Sequence, residues 1–404
     1  MKILVADRFE PSGLDGLKAA SCADVYQPDV KDDALTEAIR ATAADVLVVR
    51  STVVSASMLE AGSLSLVVRA GAGYNTIDVA TASKRGIYVS NCPGKNAVAV
   101  AELAFALILA LDRRVPDNVS ELRAGKWNKK DYSKARGLFG RTLGLLGYGS
   151  IGQEMAKRAH AFGMPIVVWS RRFVTGQEDG SHAAVPIQIA KLPEELAERC
   201  DVLSVHLALT PETRGLVNAS VLGRLREGSY FINTARAELV DYVALERAVH
   251  ERQIRVGLDV FAAEPSGGTG AFKDPLLSLV NVYGTHHIGA STDQAQDAIA
   301  AETIRIVAAY KSTGKVPNVV NLAKKTPATK MLVVRHRDRP GVLAHVLEHL
   351  RADSINVQEM DNVIFEGAEA AVAHINLDGA PSEALLSKIK SGNSEIIDLR
   401  LVSI

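Results

Sequence analysis

Three apolar, strand-like runs of this chain end on side chains that can do chemistry. They close as Asn233-Thr234-Ala235-Arg236, as Gly257-Leu258-Asp259 leading to Glu264-Pro265, and as Thr285-His286-His287. A secondary alcohol that gives up hydride also gives up its hydroxyl proton. That reaction needs an acid/base with a pKa near neutrality, which histidine supplies unaided. A carboxylate must orient the imidazole, and a fixed cation must grip the substrate's own carboxylate, which arginine does with two parallel hydrogen bonds. His287, Glu264 and Arg236 make up such a set. Each also has a plain structural reading: a core histidine, a turn glutamate before Pro265, a surface arginine. Spacing by itself leaves both open.

Hydride needs a carrier, and residues 141–172 have the pattern of a site for one. Residues 142–146 form an apolar run of strand length, then Gly147-Tyr148-Gly149-Ser150-Ile151-Gly152 follows as G-x-G-x-x-G. A helical pattern runs to about Phe162, and residues 166–169 are a second strand. In such a βαβ unit Gly147 allows the tight turn, Gly149 lets backbone approach a pyrophosphate, and Gly152 lets the helix pack close. The helix N-terminus then holds the anion. An NAD site wants a carboxylate at the end of the second strand for the ribose 2′-hydroxyl. Here Ser170, Arg171 and Arg172 stand there instead, which favours NADP over NAD; the plain alternative is two solvated surface charges.

Composition narrows the setting. A chain of 404 residues predicts two or three domains. Lys and Arg number 46, as do Asp and Glu, and no basic run stands out, which argues against a nucleic-acid partner. Cys22, Cys92 and Cys200 are scattered without metal-ligand spacing, so no metal site is expected and a reducing cytoplasm is. The start is strand-like rather than a signal peptide. The longest apolar stretch, 97–111, contains Glu102 and is too short for a bilayer. The expectation is a cytoplasmic protein with no membrane partner.

The elements that must hold these residues are of one kind. Residues 1–95 alternate strands (2–6, 46–49, 66–69, 87–90) with helical stretches, as in a parallel sheet covered by helices. Two strand ends carry Arg50-Ser51 and Arg69. Ligands of open α/β sheets sit at the carboxyl ends of strands, so these residues are candidates for an anionic substrate, unless they pair with nearby carboxylates. Residues 97–112 predict a buried helix crossing between domains. Trp127, among lysines, reads as an interface arm or a core edge. Strands follow at 202–207, 229–233, 255–260 and 280–283, with helices at 242–251 and 294–310. Residues 311–327 read as a linker, and the remainder is ordered βαββαβ, which is ferredoxin-like. The fold class is α/β: two Rossmann-like or flavodoxin-like doubly wound parallel-sheet domains plus a ferredoxin-like one. Residues 1–95 and 292–325 make a substrate-binding domain, 96–291 a dinucleotide-binding domain, and 329–404 a third.

Four motifs run in order: Gly144-x-x-Gly147-x-Gly149-x-Ile151-Gly152, Asn233-Thr-Ala-Arg236, Asp259-Val-Phe-x-x-Glu264-Pro265 and His287-Ile-Gly-Ala-Ser-Thr292. With Val49-Arg50-Ser51 and Ala101-Glu102-Leu103 they make residues 1 to about 325 resemble the D-isomer-specific 2-hydroxyacid dehydrogenase family. The final block, with His336-Arg-Asp338-Arg-Pro-Gly341-Val342 and Ile355-Asn356-Val357, resembles an ACT regulatory domain. The resemblance implies that His287 exchanges the C2 hydroxyl proton, Glu264 pairs with it and Arg236 holds the substrate carboxylate. It places Asp259 and the Thr234–Ala235 backbone near the nicotinamide, Ser150 and Ile151 at the pyrophosphate, and His206 on the adenosine side. Arg50, Ser51 and Arg69 match positions that bind carboxylate or phosphate. The ACT tail implies hydride transfer between NAD or NADP and C2 of 3-phosphoglycerate. It also implies a serine effector at His336, Asp338 and Asn356, and a homo-oligomer, dimer or tetramer. Ala237, His286, Ser170 and Asp338 depart from the usual Gly, Pro, Asp and Asn. The alternatives are an NADP-dependent glyoxylate or hydroxypyruvate reductase of the same family, and a non-catalytic, dinucleotide-sensing interaction protein.

Overall fold

The computed structural model describes residues 1–20, 23–265 and 269–404, so Cys22 lies outside the described residues. The chain divides into two compact units, Met1–Asn321 and Leu322–Ile404. Among the described residues no helix is long and apolar enough to cross a membrane.

The first unit holds two parallel sheets. Strands β1 (Lys2–Val5), β2 (Ala23–Tyr26), β3 (Val46–Val49), β4 (Leu66–Arg69) and β5 (Tyr88–Asn91) lie in the order β2-β1-β3-β4-β5, the flavodoxin-like arrangement. All four residues of β3 are buried, because helices cover both faces. Such strands read as continuous apolar runs rather than alternating ones. Strand β2 was not expected. It is an edge strand reading Ala-Asp-Val-Tyr, with no apolar run to give it away. Helix α1 (Pro11–Ala20) covers part of this sheet. From β5 the chain enters helix α2 (Ala97–Arg113), which packs against strands of the second sheet.

That sheet comprises β6 (Leu143–Leu146), β7 (Ile166–Trp169), β8 (Gln188–Ile189), β9 (Val202–Val205), β10 (Tyr230–Asn233), β11 (Arg255–Leu258) and β12 (Val282–Gly284), in the order β12-β11-β10-β9-β6-β7-β8. The order reverses between β6 and β9, where Leu146 is in register with Val205. The crevice above such a reversal is where open α/β sheets bind ligands. Helix α3 (Ser150–Ala161) links β6 to β7. Strand β8 also went unforeseen, being two exposed residues at the sheet edge.

Helix α4 (Asp293–Thr313) then returns to the first sheet and packs on α1 and β4. Residues 318–321 are no free linker. Val320 N donates to Val89 O at 2.9 Å and Val89 N to Asn321 Oδ1 at 2.9 Å, so this segment covers the open edge of β5.

One carboxylate ties this return together. Glu302 of α4 is 6% exposed. It accepts from Arg305 at 2.6 Å and Asn318 at 2.7 Å, and Lys95 lies 3.4 Å away. The Arg305 hydrogen bonds, helped by Asn318 and Lys95, hold its pKa down to about 2 against burial. A carboxyl whose pKa falls on folding stabilises the native state above its unfolded value and loses that contribution as pH drops toward the folded one. Stability should therefore decline between pH 4.5 and about 2. Glu302→Gln should flatten that decline and cost about 1–2 kcal/mol at neutral pH, once screening at exposed Arg305 is allowed for. Urea unfolding as a function of pH checks both; an unaltered pH dependence would contradict this account.

The second unit runs β13 (Lys330–Arg337), α5 (Val342–Ala352), β14 (Val357–Ile364), β15 (Ala370–Leu377), α6 (Glu383–Ser391) and β16 (Ile396–Ser403). Its antiparallel sheet has the order β14-β15-β13-β16, which is ferredoxin-like. Strand β15 alternates half-buried with buried residues. Its Ala373 and Ile375 join Leu332, Val334, Val346, Leu350 and Ile389 in the core.

Candidate active site

The turn after β6 is shaped by its glycines. Gly147 has φ +106°, and a Cβ there would come within 2.5 Å of His206 O, at the end of β9. A side chain on Gly152 would collide with the Gly147 carbonyl, so α3 sits directly on the turn. Around Gly149 a Cβ would meet nothing within 4 Å. Open space thus lies before the N-terminus of α3, whose first turn carries no acidic residue and no side-chain cap. Ser150 is exposed there and Ile151 half-buried. A pyrophosphate fits this cradle.

The end of β7 sets its two arginines apart. Arg172 donates to Tyr148 O at 2.8 Å and to Glu178 at 2.7 Å, and so braces the glycine turn. Ser170 is 6% exposed, and its carbonyl accepts from Phe173 N and Val174 N. Arg171 is exposed and makes no side-chain hydrogen bond or ion pair among the described residues. Glu212, on the loop after β9, is held below the usual carboxylate range by the Thr210 hydroxyl and, more weakly, by the charge of Arg171. Arg171→Asp should shift the NADPH/NADH ratio of kcat/KM toward NADH by about 10- to 100-fold, the worth of a charge-assisted phosphate contact. Arg172→Gln should weaken both cofactors alike. Steady-state kinetics with each cofactor checks this, and an unchanged ratio in Arg171→Asp contradicts it.

At the switch point, the His206 ring pairs through Nε2 with Ser204 Oγ at 2.8 Å. Burial pushes its pKa down to about 3, which keeps the ring neutral. Its Nδ1 is buried without a partner among the described residues, as are Thr234 Oγ1, Asn96 Oδ1 and Arg69 Nε. Buried polar atoms are normally satisfied. These four lie at strand ends and at a helix start, and suit a polar ligand.

The three reactive side chains do converge. His287 Nδ1 and Glu264 Oε2 are 2.7 Å apart. Glu264 Oε1 accepts from Phe261 N at 2.8 Å. Burial raises the Glu264 pKa, but these hydrogen bonds and the charge of Arg236 outweigh it and hold the carboxyl below its usual range. His287 takes a left-handed φ of +53°, and Asp259 explains how that is held. Asp259 is 1% exposed, and it accepts from Thr285 Oγ1 at 2.6 Å, Ile288 N at 2.9 Å and Gly289 N at 2.9 Å. It staples the chain on both sides of His287. His286 is exposed and makes no side-chain bond among the described residues.

Arg236 is positioned from beneath and from across. Asn233 accepts from Ala235 N at 3.0 Å and donates to Arg236 O at 2.9 Å, bracing the loop and occupying the Ala235 N–H. The guanidinium donates to Asn75 Oδ1 at 3.2 Å, and a side chain on Gly73 would overlap it. Arg69 packs its guanidinium over Gly71. Burial, then the neighbouring charges of Arg236 and Arg50, push its pKa down to about 10. Neither Arg50 nor Arg69 is paired with a carboxylate among the described residues. The loop carrying Arg50 is fixed by Asp7, which escaped notice in the sequence. Asp7 is 8% exposed and accepts from the backbone N of Arg50, Ser51 and Thr52 at 2.6 to 3.0 Å. A lone Asp just past a strand gives no signal of that role.

In the second unit the three candidate effector residues are split. His336 is 2% exposed and bonded to Asn362 at 3.2 Å, near the end of β13. Asp338 follows that strand end. Asn356 precedes β14 at the sheet's opposite end, where Val357 is in register with Leu377 and Leu377 with Lys330. About 20 Å of strand separates the two groups.

A family model described as the NAD binding domain of D-isomer specific 2-hydroxyacid dehydrogenases matches residues 105–289. The chain is 42% identical over 273 residues to hydroxypyruvate reductase of Thermotoga maritima, covering 67% of this chain and 85% of that protein. It belongs to the D-isomer-specific 2-hydroxyacid dehydrogenase family. The same dehydrogenase chain is 36% identical over 378 residues to D-3-phosphoglycerate dehydrogenase of Mycobacterium bovis, covering 91% of itself and 68% of that protein. Among solved structures it is similar to an NADPH-dependent glyoxylate/hydroxypyruvate reductase of Sinorhizobium meliloti in complex with NADP and malonate. The TM-score is 0.68 with 29% identity, over 80% of this chain and 99% of that one. This 2-hydroxyacid dehydrogenase is therefore an oxidoreductase, and the non-catalytic alternative is set aside.

Proposed function

We propose that the enzyme is a D-3-phosphoglycerate dehydrogenase, interconverting 3-phosphoglycerate and 3-phosphohydroxypyruvate at the start of serine biosynthesis. One observation carries this reading: Arg50, Arg69 and Arg236 crowd together without carboxylate partners among the described residues, and the charges of Arg236 and Arg50 add to burial in depressing the pKa of Arg69. Three cations suit a substrate with both a carboxylate and a phosphate, whose charge is about −1.5 to −2 at neutral pH. A glyoxylate carboxylate would balance only one. Support also comes from length. The similarity to the M. bovis enzyme extends over 91% of the chain, beyond the unit that ends at Asn321.

The sheet of β1–β5, with the return along α4, serves in this reading as the substrate domain, and the sheet of β6–β12 as the cofactor domain. Gly147, Gly149, Ser150, Ile151 and Gly152 would hold the pyrophosphate, His206 and Arg171 the adenosine half, and Thr234 the nicotinamide half. The nicotinamide, when bound, supplies or accepts the hydride. His287 donates its Nδ1–H to Glu264, which leaves Nε2 toward the substrate. In reduction, Nε2–H protonates the carbonyl oxygen; in oxidation, neutral Nε2 takes the hydroxyl proton. Glu264 steadies the imidazolium, and Arg236 fixes the carboxylate so that C2 presents one face. Asp259 acts here through the His287 loop.

A second reading, a glyoxylate or hydroxypyruvate reductase using NADP, is favoured by the T. maritima similarity and by Arg171. Parallel steady-state reduction of 3-phosphohydroxypyruvate, hydroxypyruvate and glyoxylate with NADH and NADPH separates the two. The phosphorylated acid should lead in kcat/KM by about 100-fold or more, because the other acids leave half-buried cations unpaired. Glyoxylate matching it would give the assignment to the second reading. We further propose that the second unit is an ACT domain with serine as its effector. The split between His336 with Asp338 and Asn356 then calls for a second copy, paired along the exposed edge of β14.

A further inference from the structure

Glu264 hangs on a short exposed stretch after Val260, and among the described residues its carboxylate has two partners, His287 and Phe261 N. What fixes that N–H lies on another element. Tyr242 opens the helix Tyr242–Arg252, which Asp241 caps by accepting from Ala244 N at 3.0 Å. The Tyr242 hydroxyl donates to Val260 O at 3.0 Å. Val260 C=O and Phe261 N–H belong to one peptide group, which is planar and trans. A hydrogen bond that fixes its oxygen therefore fixes the direction of its N–H. The relay runs from the Tyr242 hydroxyl, through this peptide, to Glu264 Oε1 at 2.8 Å, and from Glu264 Oε2 to His287 Nδ1 at 2.7 Å. Hydrogen bonds on the two ends of one amide also polarise it in the same sense, so each strengthens the other.

We propose that Tyr242 is a positioning residue for the proton transfer: through the Val260–Phe261 peptide it aims the carboxylate that orients His287. The inference rests on the reading of Glu264 and His287 as the acid/base pair. Burial, with the negative charges of Asp274, Glu264 and Glu238 nearby, raises the Tyr242 pKa, so the hydroxyl remains a donor throughout the working pH range. The ring itself packs on the core under the second sheet, which a phenylalanine would preserve.

Tyr242→Phe removes the donor alone. With the 2-oxo acid that the wild-type enzyme reduces fastest, kcat should fall about 3- to 10-fold, the worth of one hydrogen bond. KM for the oxo acid and Kd for NADH should stay within about two-fold, since in this proposal Tyr242 acts through Glu264 rather than on either ligand. In a Glu264→Gln background, the same substitution should add no further loss, because the two residues act through one relay. Three outcomes would overturn the proposal: wild-type kcat in Tyr242→Phe, a loss confined to KM, or losses that multiply fully in the double variant. If Glu264→Gln alone keeps wild-type turnover, the acid/base pair itself has failed. An impaired Glu264→Gln beside a silent Tyr242→Phe removes this proposal only.

Discussion

Replacing His287 with Asn should lower kcat about a thousand-fold and leave NADH affinity within about three-fold, the scale of a lost general acid/base. Asn is the right probe because His287 sits at φ +53°, a conformation that Asn tolerates and that alanine or a β-branched residue resists. The loop should stay in place, since Asp259 holds Thr285, Ile288 and Gly289 independently of the imidazole. What disappears is the group that moves the proton, together with the partner that keeps Glu264 in line. Steady-state turnover and fluorescence titration with NADH separate the two quantities. His286→Ala should be nearly silent, because that ring is exposed and unengaged. Full turnover in His287→Asn, with a loss in His286→Ala, would reverse the assignment.

Arg236→Gln should cut kcat/KM for the 2-oxo acid by about 100- to 1,000-fold, the usual cost of removing one member of a desolvated charge pair. Even Arg236→Lys should recover little, because a point charge cannot reproduce the two-pronged grip on a carboxylate. The loss should not come from folding. Arg236 and Arg69 repel each other, and burial already holds both pKa values below the ordinary range. Relieving that crowding should leave the melting temperature unchanged or raise it, the usual relation between a strained site and stability. Thermal melts beside the kinetics check this. A falling melting temperature with intact kcat/KM would make Arg236 a structural residue.

What could be read in the sequence follows from burial. Central strands such as β3 and β9 showed as apolar runs because both faces are covered, and Gly147 and Gly152 announced the turn because only glycine fits it. Edge strands β2 and β8 gave no such pattern. The reactive trio was visible as residue types at strand ends. Its supports were not: Asn75 reaches Arg236 across 161 residues, Asp7 holds a loop 43 to 45 residues away, and Tyr242 acts through one peptide of another segment. Arg171 and Arg172 show the converse limit. Two adjacent arginines look equivalent in sequence, yet a backbone carbonyl at Tyr148 claims one and leaves the other to solvent.

The most direct test of the site is a crystal structure with NADH and a non-reacting 2-oxo acid analogue such as oxamate. The predicted result has the analogue's carboxylate on Arg236 and its keto oxygen about 2.6–3.2 Å from His287 Nε2, with Glu264 still bonded to Nδ1. A carboxylate bound away from Arg236, or an imidazole turned off Glu264 toward solvent, would contradict the account.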